Sequence, residues 1–293
     1  MPIAILCLLI SALFYFSAAT LYVISFLSGN LKNEDKAFFM MRLGFVLASV
    51  YLSIEALQYG FKFPILNFSH VLAFFSWALA FLFFIPLARL KARSFGLILA
   101  PALFLLNSAA IWHAPDPAYS MNVKIYFVLH IVFAFFAYAS LMLSFTAALL
   151  YLIQHHELKR RRAGTFYHHL PNLEVLDQLT YQPMIFGIVL LICAVAVGML
   201  WSHDAYGQVW MNDPKTFLTF ITIGLYGFLI SLRFGTAMRN SRIALLSLLV
   251  FCFLIGSFIG GRYLTGKHSD AAFSVDHSAS AQSPTSATAV RLV

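Results

Sequence analysis

The chain has 293 residues, of which 61% are hydrophobic, 16% aromatic and only 10% charged, whereas an ordinary soluble domain is about 45–50% apolar and about 25% charged. A water-soluble fold of this length covers its outside with polar groups, which 31 Phe and a mean hydropathy of +0.84 do not permit. Lipid is therefore the solvent, and the formal net charge of +8 belongs to a membrane topology, with no nucleic acid as partner.

A hydrocarbon core of ~30 Å takes about 20 apolar residues of helix. Eight such runs, 3–27, 39–60, 64–88, 95–112, 125–153, 182–201, 215–233 and 243–265, predict an all-α, polytopic bundle of about eight transmembrane helices. The first run follows no basic segment and exceeds the length of a signal-peptide core, so it reads as a mature helix. Arg42 and Glu55 in the second run are too far apart to pair, at about 20 Å along an α-helix. Arg42 is expected to snorkel to the interface and Glu55 to face the bundle or the opposite interface. The fourth run is short and carries Pro101 and Asn107, both tolerated where neighbouring helices satisfy the freed polar groups. Cys7, Cys193 and Cys252 each lie in a separate apolar run without a C-x-x-C, which excludes thiol exchange and covalent haem attachment and leaves structural cysteines.

Alternate connections are basic. Lys32 and Lys36 follow the first run, Arg89, Lys91 and Arg93 the third, Lys159 to Arg162 the fifth, and Arg233, Arg239 and Arg242 the seventh. The positive-inside rule puts these four loops in the cytoplasm and both termini outside. From Ser269 to Val293 the composition shifts to Ser, Ala and Thr, which cannot offset the entropy of ordering and reads as a flexible external tail after a transmembrane domain of residues 1–268.

The connection at 201–215 reads as an external, Trp-rich loop, with Trp201, Tyr206 and Trp210 ahead of Asp213-Pro214-Lys215. Headgroup-level anchoring explains the aromatics alone. Asp213 as a helix cap and Pro214 at the first helical position add a fixed start for the next helix and suggest a platform. His130, about one turn into the fifth run, and His268, just past the eighth, face the same compartment. Taken singly each reads as a satisfied polar residue; flanking an aromatic surface, the pair fits axial ligation of a haem iron, with the rings as stacking faces for the porphyrin. His70 is a possible further ligand, though it reads first as a packing residue, as do His113 and His203. The pairs His155-His156 and His168-His169 bracket a basic run and read as a solvated loop.

Over 174–269 these residues resemble the CcsA/CcmC group of haem-handling proteins of cytochrome c biogenesis. The resemblance rests on Leu176-Asp177-Gln178-Leu179-Thr180-Tyr181, Gly187, Gly198, Trp201, Gly207, Trp210, Asp213-Pro214-Lys215 and the closing Gly266-Lys267-His268-Ser269. Asn67 with Phe74, Ser76 and Trp77 resembles the third helix of the group, and Leu129-His130 with Tyr138 the helix that carries its first external His. The resemblance implies haem b, bound transiently and non-covalently on the outer face of a bacterial-type plasma membrane through His130 and His268, with Trp201, Tyr206, Trp210 and Asp213 around it. It also implies a CcsB-like membrane partner, apocytochrome c as acceptor, and a place in a cytochrome c haem lyase complex. Departures from the pattern are Tyr206 and Asn212 where further Trp is usual, Thr216-Phe217 after Lys215, and His70 where many relatives carry Glu. They leave open a HemX/YpjD-like branch, a membrane regulator or accessory protein linked to tetrapyrrole metabolism.

Overall fold

The computed structural model describes residues 2–60, 68–90, 93–112, 124–159, 171–206, 214–235 and 241–257. They form eight α-helices and a 3-10 turn at Arg93–Phe95, with no strand among the described residues. In chain order the helices are α1 (Pro2–Ser28), α2 (Leu31–Tyr59), α3 (Phe68–Leu90), α4 (Gly96–Trp112), α5 (Ile125–Lys159), α6 (Leu173–Tyr206), α7 (Pro214–Gly235) and α8 (Ser241–Ser257). Five contain stretches long and apolar enough to cross a membrane, and α3, α4 and α8 contribute shorter apolar segments. The chain is a multi-pass, all-helical membrane bundle.

The helices overrun their apolar stretches wherever a capping residue lies upstream. Asn30 accepts from the backbone N–H of Lys32 at 3.1 Å, and α2 starts there with Glu34 in its first turn, eight residues ahead of the apolar run. Asn172 accepts from the N–H of Val175 at 3.0 Å and starts α6 at residue 173 instead of 182. Hydropathy marks the lipid-embedded part of a helix, while the N-cap marks where its orphan donors are satisfied. At the other end α6 continues to Tyr206, so Trp201 to Tyr206 are helical and not loop. Pro214 does open α7, as its fixed φ favours.

Small residues and hydroxyls bring the helices together, as expected where lipid supplies no hydrophobic drive between them. Ser11 of α1 donates to the carbonyl of Gly44 at 2.7 Å, and Asn107 of α4, fully buried, donates to the Ser11 hydroxyl at 3.1 Å. A Cβ at Gly44 would meet the Tyr15 ring at 2.9 Å, so glycine permits the α1–α2 approach. Between α5 and α6, Ser140 donates to the Pro183 carbonyl at 2.8 Å and Ser144 to that of Thr180 at 2.6 Å, in the stretch of α6 that Pro183 interrupts.

The packing fixes which helix ends lie together. Ala4 and Leu8 at the start of α1, Tyr51 and Leu52 near the end of α2, Ala73 near the start of α3 and Ala110 near the end of α4 share one cluster. Phe74 of α3 meets Phe135 of α5 at 6.0 Å, while Leu82 and Phe83 share a deeper cluster with Leu150 and Tyr151. Helices α3 and α5 therefore run parallel, and His70 and His130 are at the same end of the bundle. The motif at 176–181 lies near the opposite end. There Asp177 forms a two-pronged ion pair with Arg233 of α7, one N–H···O contact being 2.8 Å, and the guanidinium lies 5.5 Å from the Tyr181 ring. Arg42 lies over the ring of Phe38, 4.4 Å from its centroid. Cys7, Cys193 and Cys252 are all free thiols.

Candidate functional site

Helices α5 and α6 form the most extensive pairing in the bundle, and the site is built along it. Their order of contact is antiparallel: Leu141 at Gly187, His130 at Ala194 and Gly198, Phe127 at Trp201, Lys124 at Asp204. On α6 the positions 187, 194, 198 and 201 recur at spacings of seven, four and three residues, which is one face of a helix. Two of them are glycine. A Cβ at Gly187 would fall 2.9 Å from the Leu141 side chain, and one at Gly198 only 2.6 Å from Nδ1 of His130. The imidazole rests where a side chain at 198 would stand.

That close approach lets His130 Nδ1 reach the Ala194 carbonyl at 2.7 Å. A carbonyl oxygen only accepts, so Nδ1 is the donor, and the tautomer that makes this contact has its lone pair on Nε2. Metal-bound imidazoles are prepared in this way: the second nitrogen donates to a backbone carbonyl or carboxylate, which fixes the tautomer and the ring plane. His130 is only partly buried.

One helical turn toward the end of α5, Phe127 packs on Trp201 with centroids 4.6 Å apart and planes at 36°. Trp201 is thus held by a ring of the neighbouring helix and lies one turn beyond Gly198. Past this pair Lys124 Nζ reaches Asp204 Oδ2 at 2.6 Å across exposed surface and closes the α5–α6 seam. Such an exposed pair contributes at most about 1 kcal/mol, so it registers the two ends more than it stabilises them.

Of the residues singled out from sequence, the structure brings His130 and Trp201 to the same end of the same helix pair. Trp210, Asp213 and His268 lie outside the described residues, and of Tyr206 only the backbone, at the last position of α6, is described. His203 is exposed on the last turn of α6, and His155 stacks on Tyr151 at 6.0 Å. Among the described residues no group of three His, Cys, Asp or Glu is close enough to hold a bare metal ion. An iron already held by four pyrrole nitrogens needs only one or two axial protein ligands, and the Nε2 of His130 suits that donor role.

Sequence reasoning missed the seat under His130. Gly198 was visible as part of a motif, and a glycine inside a long apolar helix does signal close approach, but its partner on α5 was not readable. His70, a possible further ligand that reads first as a packing residue, pairs with Glu55 at 3.1 Å in the bundle interior, a partnership the sequence did not show.

Residues 65–268 match the family described as cytochrome C assembly protein, and the matched range ends on His268. Two relatives, each named Protein HemX, are 26% identical over 258 residues. The one from Bacillus subtilis (strain 168) aligns over 85% of this chain and 91% of its own length, and the one from Brevibacillus brevis over 85% and 90%. A protein named cytochrome c biogenesis protein CcsA from Prochlorococcus marinus (strain MIT 9312) is 24% identical over 265 residues, 80% of this chain and 86% of its own. With most of its length matched and a helical, membrane-spanning architecture in agreement, the chain belongs to the cytochrome c assembly protein family.

Proposed function

We propose that this protein acts in c-type cytochrome biogenesis by holding haem b non-covalently at the His130 end of the bundle, on the outer face of the membrane, and presenting it to an apocytochrome c. The observation that carries the reading is the hydrogen bond from His130 Nδ1 to the Ala194 carbonyl over Gly198, which leaves Nε2 as an oriented donor beside the Phe127–Trp201 pair. His268 would supply a second ligand to the haem iron, with Trp210, Tyr206 and Asp213 contributing to its surroundings. Haem is the cargo: each of its vinyl groups accepts a cysteine thiol, the sulfur bonding to one vinyl carbon and the hydrogen passing to the other. No nucleophile from this chain is needed. Its part is positioning and exclusion of water. The outward orientation is supported by the basic residues gathered in alternate connections at the opposite end. A CcsB-like membrane partner would supply the surface for the apocytochrome.

Purified protein should show a Soret band, lost or weakened in His130→Ala and His268→Ala; in His130→Gly and His268→Gly added imidazole should restore it. Haem content unchanged in both would remove the axial assignment. A second reading, an accessory or regulatory membrane protein, is favoured by the near full-length match to the two HemX relatives. It predicts no haem in the purified protein and full accessory function in the His130 and His268 variants.

A further inference from the structure

The outward edge of α3 is an aromatic stripe. Phe74, Trp77, Phe81 and Phe84 follow one another at spacings of three and four residues and are half-buried, whereas Ala78, Leu79 and Ala80 between them are sealed in the bundle. The Trp77 ring is fixed by its Nε1–H, which donates to the Ser49 hydroxyl of α2 at 2.9 Å. Phe74, Phe81 and Phe45 all lie within 24° of parallel to that ring, with centroids 5.2 to 6.0 Å away. Phe136 of α5 stands against it at 86°. The stripe is thus the floor of a groove with walls from α2 and α5.

The end of this groove away from His130 carries a cation. Arg42 is exposed on the edge of α2 that also bears Phe38, Phe45 and Ser49, the four positions following at spacings of four, three and four residues. Its guanidinium lies over the Phe38 ring, 4.4 Å from the centroid, and Phe38 meets Phe84 of the stripe at 5.6 Å. No carboxylate pairs with Arg42 among the described residues. Asp35, on the same edge, is seven residues, or about 10 Å, nearer the helix end.

An unpaired guanidinium within the apolar span Lys32–Tyr59 is costly until an anion meets it. The two parts together limit the occupant. The groove takes hydrocarbon, because the indole N–H is already used by Ser49. The guanidinium presents a planar fork of donors that suits the two free oxygens of a phosphodiester. A soluble anion has nothing for the groove, and a partner helix would have to carry a carboxylate at that depth to satisfy Arg42. A phospholipid carries both parts in one molecule. From Arg42 to Ser49, beside Trp77, is seven residues or about 10 Å along α2, within the ~15 Å that one leaflet contributes to a ~30 Å hydrocarbon core. The basic connections gather at this end of the bundle, and anionic lipid is drawn to such charge.

We propose that Arg42 and the groove over Trp77 bind one anionic phospholipid of the phosphatidylglycerol class, its phosphate on the guanidinium and one acyl chain along Phe84, Phe81 and Trp77. The site is at the opposite end of the bundle from His130, and its occupancy does not require haem.

The test reads the fluorescence of Trp77 in a chain whose other three tryptophans, Trp112, Trp201 and Trp210, are changed to Phe. The chain is placed in phosphatidylcholine nanodiscs with rising fractions of phosphatidylglycerol brominated at mid-chain, and in a parallel series with brominated phosphatidylcholine, since bromine quenches an indole that it touches. Quenching by the anionic lipid should saturate at low fraction, with a preference over phosphatidylcholine of roughly tenfold that disappears in Arg42→Gln, as for loss of hydrogen bonds to a charged group. Arg42→Lys, which keeps the charge and loses the fork, should keep only part of the preference. Lys36→Gln, which removes a charge from the same end of α2 but off this edge, should leave it unchanged. Native mass spectrometry of the unaltered chain should show one retained phosphatidylglycerol, absent in Arg42→Gln. Equal quenching by the two lipids with helix content intact, a preference that survives Arg42→Gln, or one lost equally in Lys36→Gln, overturns the proposal.

Discussion

Gly198→Ala is the sharpest test of how His130 is held. The added Cβ would stand 2.6 Å from Nδ1 and 2.9 Å from Cε1, against a relaxed contact of about 3.5 Å. The ring must retreat by roughly 0.9 Å to reach that distance. Taken along the hydrogen bond, this turns the 2.7 Å contact with Ala194 into about 3.6 Å, which is no longer a hydrogen bond. The net loss of that bond is about 1 kcal/mol. Alanine in place of glycine inside a helix returns a similar amount in propensity, about 1 kcal/mol. Overall stability should therefore be nearly unchanged, because the side chain that has to give is the mobile, half-buried end of a histidine.

Haem retention should not be spared. Removing the partner that orients a ligating histidine costs about 10–100-fold in affinity, since the ring is free to rotate and to place its proton on Nε2. The assay is haem per protein by the pyridine haemochrome, with thermal unfolding of the same preparation in detergent. A paired variant sharpens it: imidazole added to His130→Gly should restore haem, but not in His130→Gly combined with Gly198→Ala, where the new methyl fills the seat. Full haem affinity in Gly198→Ala, or equal imidazole rescue with and without the methyl, would refute the idea that Gly198 and the Ala194 carbonyl set the ligand.

Arg233→Ala and Asp177→Asn should each lower stability by roughly 2 kcal/mol, as for hydrogen bonds to a charged group, with the double variant no worse than either single, measured as shifts in thermal unfolding; additive losses would mean the α6–α7 clamp is not a pair. Trp201→Ala should lower haem occupancy with His130 intact, because it removes the ring that Phe127 supports; equal occupancy returns Trp201 to interfacial anchoring. In a background with the three native cysteines changed to serine, Gln208→Cys should react with a membrane-impermeant thiol reagent from outside and Gly164→Cys should not, and the reverse would end the outward orientation. Asp213→Ala should lower haem content or abundance, whereas Asp213→Asn, which caps a helix nearly as well, distinguishes a cap from a required charge: loss in Ala alone means a cap, loss in both at normal abundance means the carboxylate is needed.

The architecture was legible because one signal dominates. Apolar runs of membrane-spanning length cannot be confused with strands or loops, and all eight correspond to helices. What hydropathy could not reveal were the polar extensions of α2 and α6, set by Asn30 and Asn172, and the helical state of Trp201 to Tyr206, where a tryptophan, a histidine and an aspartate mimic a loop in composition. The site was legible only in part. His130 and Trp201 stood out as polar or amphipathic groups at a helix end, but partnership between helices has no period in the sequence. Asp177 with Arg233, Lys124 with Asp204 and Glu55 with His70 are separated by 56, 80 and 15 positions, and only the packing joins them.

These pairings also bear on how the proposed ligand site would stand at the rim of a lipid-dissolved bundle. A histidine in the middle of a membrane helix would have to be neutral, enclosed and satisfied on both nitrogens. At the start of α5 one nitrogen is satisfied from within, by a carbonyl of α6, on a ring that is only partly buried, and the proposed haem ligation falls to the other nitrogen. The rest of the α5–α6 seam holds this geometry: Ser140 and Ser144 tie the helices below the site, Phe127 on Trp201 and Lys124 on Asp204 above it. A rigid seam matters because a displacement of under an ångström at Gly198 is enough to break the contact that orients the ring. The side chain that glycine lacks there is therefore as much a part of the site as the imidazole that takes its place.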